Sequence, residues 1–280
     1  MTSPFDLTGQ RALVTGASKG IGEAISKTLA QMGATVCVHY NTDREGADRI
    51  VDEIVAAKGK AYRLRADLAD WDAGLDLVAK AEAEAGPLDH VIINHGIWME
   101  AAIDTMSEAQ YDETMNANVR GAFSVASAAA RSMKPRKSGH IVFIASTAGQ
   151  RGEALHSHYA ASKGALVSLT KSLSSELAPG GIRVNCVAPG WVKTTMSEVA
   201  LRDPILSAKV NATIPLGRVG SVDEIAGPVA FLCSRAAGFV TGGVGRESCR
   251  KRSRCWARER WAKASRKSRR ARATERSCTT

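Results

Sequence analysis

Apolar strands and amphipathic helices alternate along most of this chain, which predicts one doubly wound α/β domain with a parallel sheet. Two local signals point the same way. A glycine-rich turn, Gly16-Ala17-Ser18-Lys19-Gly20-Ile21-Gly22, joins the apolar run Gln10–Thr15 to an amphipathic helix reaching about Met32. Further on, Ile141-Val142-Phe143-Ile144 leads to Ser146 and then to a helix carrying Tyr159 and Lys163. With 280 residues, the chain is long enough for one such domain with a sizeable core.

Each element follows from its pattern. The first strand and turn are followed by a second strand, Ala34 to Tyr40, and a helix from Arg44 to about Lys58. A third strand runs from Lys60 to Ala66, and a helix spans about Trp71 to Glu84. Asp89 to Ile93 is the fourth strand. Ser107-Glu108-Ala109-Gln110 is a capping box that opens a long helix to about Met133. The fifth strand is Gly139 to Ala145. The Tyr159 helix runs to Leu177 and stops at Pro179-Gly180-Gly181, and Ile182 to Val187 is the sixth strand. Residues 195–217 mix polarity with breakers, and Ser221-Val222-Asp223-Glu224 caps a helix to about Ser234.

The chemistry is carried by two constellations. Glycines at 16, 20 and 22 let phosphates approach the backbone, and the following helix offers free N–H groups and a positive dipole end, so the turn fits a dinucleotide. An acid at the end of the second strand would bond a ribose 2′-hydroxyl, but Tyr40 and Asn41 stand there, with Arg44 close behind. That favours NADP over NAD. Tyr159 and Lys163 lie four apart, on one helix face, where a positive charge is expected to lower the phenol's pKa.

Composition excludes little else. No apolar run reaches membrane-spanning length, and Met1 to Leu7 lacks the basic and apolar regions of a secretory signal, so a cytoplasmic protein with no membrane partner is expected. Cys37, Cys186 and Cys233 sit in apolar runs and read as buried hydrophobes. No metal-ligand spacing appears among the six cysteines, and His156 and His158 do not share a helix face. The net charge of +10 resides wholly in residues 244–280, which carry +11, while residues 1–243 carry −1.

Together these motifs resemble the short-chain dehydrogenase/reductase family, over about residues 9 to 243, and within it the 3-oxoacyl-[acyl-carrier-protein] reductase group and its relatives. The family has a single-domain Rossmann fold. The resemblance implies NAD(P)-dependent hydride transfer between a cofactor and a carbonyl or alcohol. Ser146, Tyr159 and Lys163 would be catalytic, with Asn118, in Asn116-Ala117-Asn118, supporting a proton relay. Gly16, Ser18, Lys19, Gly20, Ile21 and Gly22 would hold the cofactor, Lys19 facing a 2′-phosphate beside Asn41 and Arg44. Asp67 and Leu68 would contact adenine. Asn94 and Gly96 match a segment in which Ile93 and His95 depart from the family's residues. Pro189, Gly190, Val192 and Thr194 match the segment that holds the nicotinamide carboxamide. Tyr159 and Lys163 would also touch the nicotinamide ribose. Trp98, Met99 and Trp191 are candidates for an apolar pocket. Substrates implied are a small carbonyl or alcohol, including sugars and polyols, or an acyl-carrier-protein thioester, for which Arg151, Lys193 and Arg202 could form a basic docking patch.

Phe239-Val240-Thr241-Gly242-Gly243 begins the family's last strand, and there the resemblance ends. Residues 244–280 lose all hydrophobic period and turn rich in Arg, Ser and Cys. They read as a shifted reading frame or a disordered basic tail, so the last strand is expected to be lost or altered. Trp256 and Trp261 lie among arginines without a nucleic-acid-binding motif, so no nucleic-acid partner is expected. Family members commonly form homo-tetramers through that strand and the long helices. Impaired assembly, as a dimer, is expected here, and a catalytically impaired cofactor-binding protein is the alternative outside enzymology.

Overall fold

The computed structural model describes residues 3–246. The basic segment from residue 247 onward lies outside them, and with it the expectations about a tail. Seven parallel strands form one sheet in the order β3-β2-β1-β4-β5-β6-β7. They are β1 (Arg11–Val14), β2 (Thr35–Tyr40), β3 (Lys60–Arg65), β4 (His90–Ile93), β5 (Gly139–Ile144), β6 (Ile182–Ala188) and β7 (Val244–Arg246). The order reverses between β1 and β4, which opens a crevice beyond their carboxyl ends. No helix among the described residues is long and apolar enough to cross a membrane.

Side-chain alternation along each strand divides the core into two layers. On one face Ala12, Val14, Val36, Val38, Ile92 and Val142 pack against α1 (Gly20–Gln31), α2 (Arg44–Ala56) and α10 (Asp223–Cys233). On the other, Leu13, Cys37, Val91, Ile93, Ile141 and Phe143 pack against α3 (Trp71–Ala85), α5 (Gly121–Arg136) and α7 (Ser157–Leu177). Strands covered on both faces read as near-continuous apolar runs, which is why they were legible. Cys37, Cys186 and Cys233 are free and buried, as their surroundings predict.

The structure corrects the expected element pattern in several places. The long helix is not continuous. α4 (Glu108–Met115), opened by the Ser107–Gln110 capping box, passes through a π-helical turn at Asn116–Arg120 before α5 begins. A π turn holds one residue more than an α turn and leaves no mark in hydrophobic spacing over so short a stretch. A short helix, α6 (Ala148–Arg151), follows Ser146. Residues 195–217 contain α8 (Thr195–Arg202) and α9 (Pro204–Thr213), with Thr194 and Asp203 as their N-caps.

The last strand is present but short. β7 pairs Val244, Gly245 and Arg246 with Cys186, Val187 and Ala188. Its pairing therefore extends past residue 243, the limit expected from the loss of pattern, because a ladder needs backbone groups and only Val244 here is apolar. The approach to β7 is fixed by Asn185. Its amide donates to Val240 O (2.9 Å) and accepts from Gly243 N (3.1 Å). Asn185 is fully buried, so removing its amide leaves both partners without their bond. Replacement Asn185→Ala is expected to destabilise the domain by about 1–3 kcal/mol. An unshifted urea midpoint in the purified variant would contradict this role.

Candidate active site

A cavity of about 450 Å³ runs across the carboxyl ends of the strands. One end is built by the glycine turn. Gly16 and Gly20 adopt φ of +60° and +61°, a conformation that favours glycine. Gly22 allows close packing instead, since a Cβ there would meet Gly16 O at 2.3 Å. Lys19, the N-cap of α1, makes no side-chain cap, so the first-turn N–H groups of the helix are left for a ligand.

Two side chains clamp this turn from beneath. Asn94 Nδ2 donates to Thr15 O (3.0 Å) and Gly16 O (2.9 Å). His39 Nδ1 accepts from Gly16 N (3.0 Å), and its Nε2 lies 3.1 Å from Ala66 O. These bonds assign the neutral imidazole, protonated at Nε2. Burial holds its pKa down at about 4. His95 sits behind the turn with Nδ1 2.8 Å from Thr15 Oγ1, and burial keeps it well below the ordinary histidine range. Sequence reasoning noted His95 as a departure from the family's residues and missed His39, whose signal is a histidine next to the end of an otherwise apolar strand.

Most residues expected from the family resemblance line this cavity. Gly16, Ser18, Lys19, Gly20, Ile21, Asn41, Asp67, Leu68, Asn94 and Gly96 lie along the half nearer the glycine turn. Asp67 does not cap α3. Asp70 does, while Asp67 Oδ1 accepts from Ala69 N (3.1 Å). Ser146, Tyr159, Lys163, Pro189, Gly190, Val192 and Thr194 line the other half. Arg44 is not brought to the cavity. Its guanidinium lies 3.4 Å from Asp48, one turn along its own helix, because an i,i+4 carboxylate is the nearer partner. Asn118 is fully buried and does not line the cavity either. It accepts from Ile97 N (2.8 Å) and donates to Ile97 O (3.0 Å) and Ser162 Oγ (3.0 Å), pinning the segment after β4.

The Ser146–Tyr159–Lys163 constellation is assembled by three elements. Ser146 leaves β5 at the sheet's carboxyl edge, and its hydroxyl accepts from Ala148 N (3.1 Å) at the start of α6. The Tyr159 phenol faces Ser146, which favours its ionised form. Lys163, one turn along α7, is 5% exposed and donates to Ile144 O (3.1 Å). Its Nζ is 6.0 Å from the centre of the Tyr159 ring. Contrary to the sequence expectation, Lys163 does not bring the phenol's pKa down here. Burial pushes Tyr159 up to about 12, against the opposing pull of Ser146, with Glu153 adding to the rise. Lys163 itself is pushed down to about 8 by burial. Desolvation of both groups outweighs their attraction at this separation.

An aromatic wall closes the far end. Trp98 stacks on His156 with centroids 4.4 Å apart and rings 3° from parallel, and meets Trp191 edge-on at 6.0 Å. Arg151, named for a docking patch, lines the cavity beside it, as do Glu153 and Met196, neither of which the sequence reading singled out.

The model of a family described as enoyl-(acyl carrier protein) reductase matches residues 16–245. The chain belongs to the short-chain dehydrogenase/reductase family. That membership makes it an NAD(P)-dependent oxidoreductase acting on alcohol and carbonyl groups. It is 38% identical over 240 residues to gluconate 5-dehydrogenase of Gluconobacter oxydans, covering 86% of this chain and 93% of that one. It is 37% identical over 231 residues to the 3-oxoacyl-[acyl-carrier-protein] reductase of Staphylococcus aureus, covering 82% and 93%. Among solved structures, a gluconate 5-dehydrogenase from Burkholderia cenocepacia in complex with NADP and tartrate superposes with a TM-score of 0.83 at 32% identity, covering 87% of this chain and 95% of that one.

The neutral His39 makes the glycine turn of this dehydrogenase acid-sensitive. Between its folded value of about 4 and the ordinary histidine value near 6.5, the unfolded chain binds a proton that the folded chain does not. Stability therefore falls as pH drops through that window. At pH 5 this histidine accounts for about 2 kcal/mol of the loss relative to pH 7.5. Denaturant titrations at both pH values are expected to show a smaller loss in His39→Gln, by about that amount. Equal losses in variant and wild type would refute the assignment.

Proposed function

We propose that this chain catalyses reversible NADP(H)-dependent interconversion of a small hydroxylated ketone and the corresponding secondary alcohol. The observation that carries the reading is the placement of Ser146, Tyr159 and Lys163 on one wall of a cavity whose other end is the glycine turn. The turn fits the cofactor's pyrophosphate: the α1 N-terminus has no side-chain cap, and Gly16 and Gly20 hold the positive φ that the bend requires. When bound, the nicotinamide supplies the carbon that gives or takes the hydride.

The protein's part is binding, orientation and one proton. Ser146 Oγ holds the substrate oxygen where negative charge develops during reduction. Tyr159 Oη gives that oxygen its proton, or takes it back in oxidation. Lys163, with its ammonium against Ile144 O, holds the ribose hydroxyls and adds positive charge beside the phenol. Pro189, Gly190, Val192 and Thr194 form the shelf for the carboxamide, and Asp67 and Leu68 the adenine end. Asn118 acts indirectly by holding Ile97 and thus the floor next to Gly96. NADP is favoured by Lys19 on the groove and by the lack of a free acid at the end of β2, where Asp43 instead accepts from Gly46 N (3.0 Å). The Burkholderia relative's NADP supports the same choice.

A small substrate is favoured over a carrier-bound acyl chain. The expected basic docking patch is weakened, because Arg202 is paired with Glu198 at 2.8 Å and Glu153 brings an acid to the mouth. The Trp98–Trp191 wall suits a compact carbon skeleton.

Replacing Tyr159 with Phe is expected to lower kcat by about 100-fold or more while fluorescence titration still shows NADPH binding. Near-normal turnover would exclude this mechanism. Keto-sugar acids are expected to show higher kcat/KM than an acetoacetyl thioester; the reverse order would favour the acyl-carrier reductase reading.

A further inference from the structure

The segment between α6 and α7 puts two opposite charges at the cavity without joining them. Glu153 is half-buried and lines the same cavity as Ser146 and Tyr159. Among the described residues its carboxylate makes no hydrogen bond or ion pair. Arg151, two residues earlier and also on the lining, is exposed, and its guanidinium likewise has no partner there.

The backbone holds Glu153 in place. Ala101 N donates to Leu155 O (2.7 Å), Ala101 and His156 form an isolated parallel bridge, and His156 N donates to Glu153 O (3.3 Å). The Trp98–His156 stack ties the same two segments together through their side chains. The acid therefore sits on a braced loop. Its negative charge is felt at Tyr159, where it opposes ionisation of the phenol.

An ionised carboxylate on the cavity that Ser146 and Tyr159 also line is a poor neighbour for an aliphatic ketone, which would desolvate it and return no hydrogen bond. It is a good neighbour for a carbon chain bearing hydroxyls, each of which can donate. We infer that Glu153 is the specificity-determining residue of this enzyme, accepting a hydrogen bond from the hydroxyl adjacent to the reacting carbon of a polyol or keto-sugar substrate. The inference rests on the oxidoreductase reading above and adds the residue that selects its hydroxylated substrates.

Two variants test it, with NADPH binding measured first to establish folding. Glu153→Ala removes the acceptor. Its kcat/KM is expected to fall about 10- to 100-fold for vicinal diols and keto-sugars. For a cyclic secondary alcohol with no neighbouring hydroxyl, compared on the plateau above the ascending pH limb, it is expected to change less than about threefold. Glu153→Gln keeps the shape and removes the charge. The other ionisable groups around the carboxylate are Arg151 on α6, His156 before α7, and His158, Tyr159 and Lys163 on α7, and none of them is altered. The ascending limb of the alcohol-oxidation pH profile is then expected to move to lower pH, because Tyr159 ionises more easily without the nearby negative charge. A purely structural role would not move it. If both substrate classes fall together, or the limb stays in place, Glu153 is not the selector, even though a Tyr159→Phe loss of turnover would leave the oxidoreductase reading intact. A wild-type enzyme that turns over only the plain alcohol overturns the inference as well.

Discussion

The whole functional end of this molecule hangs on how β1 and β4 are joined where they stop pairing. At the switch point the two chains turn to opposite faces, and their last carbonyls lose ladder partners. Asn94 replaces those partners with two bonds to Thr15 O and Gly16 O. Thr15 Oγ1 returns the favour by accepting from Asn94 N at 2.9 Å. The packing then continues outward. His95 backs Gly16 so closely that a Cβ on the glycine would come within 2.8 Å of its Cα. Gly96 leaves room for Asn118 and Lys163, which a Cβ would approach at 2.9 and 3.0 Å. A small disturbance at the stitch therefore reaches the glycine turn and the lysine together, because the backbone at Gly16 and Gly96 is packed closely against His95, Asn118 and Lys163.

Tyr159 and Lys163 sit in a desolvated setting, and it favours their neutral forms. Tyr159 is held up at about 12 and Lys163 down at about 8. A phenol that keeps its proton in the free enzyme is poised as an acid. It becomes a useful base only when positive charge approaches its oxygen, so the direction of proton transfer is tied to what occupies the cavity. Four histidines at or behind the sheet, His39, His90, His95 and His140, are also kept neutral by burial, and they serve as fixed hydrogen-bonding groups instead of titrating ones.

The sequence was most informative where one physical cause leaves a periodic or compositional trace. Strands buried on both faces gave apolar runs, capping boxes at Ser107 and Ser221 marked helix starts, and glycines at 16 and 20 marked positive φ. Ser146, Tyr159 and Lys163 could be placed on one wall because a strand end and a helix face fix their directions. Arg44 was misplaced because its choice between the cavity and Asp48 depends on distances that no motif encodes. Asn118 shows the same limit: its amide is spent on Ile97 and Ser162, which are far away in sequence. The effect of Lys163 on Tyr159 was misjudged because helical spacing gives a shared face but says nothing of burial. Glu153 went unnoticed because its loop has no periodicity, and only the fold brings it to the phenol.

The π turn at Asn116–Arg120 sets an unusual genetic constraint. One added residue rotates everything downstream by about 100° relative to an unbroken helix. In this chain that rotation is what turns Ala122, Val125, Ala129 and Met133 toward the sheet. Deleting a single residue from the turn would restore regular helix geometry and at the same time swing that apolar stripe off the core. Apart from Asn118, whose amide is committed to Ile97 and Ser162, substitutions between residues 116 and 120 should thus be better tolerated in the lineage than length changes, and an insertion elsewhere in the helix could rescue a deletion here only if it restored the phase before Ala122.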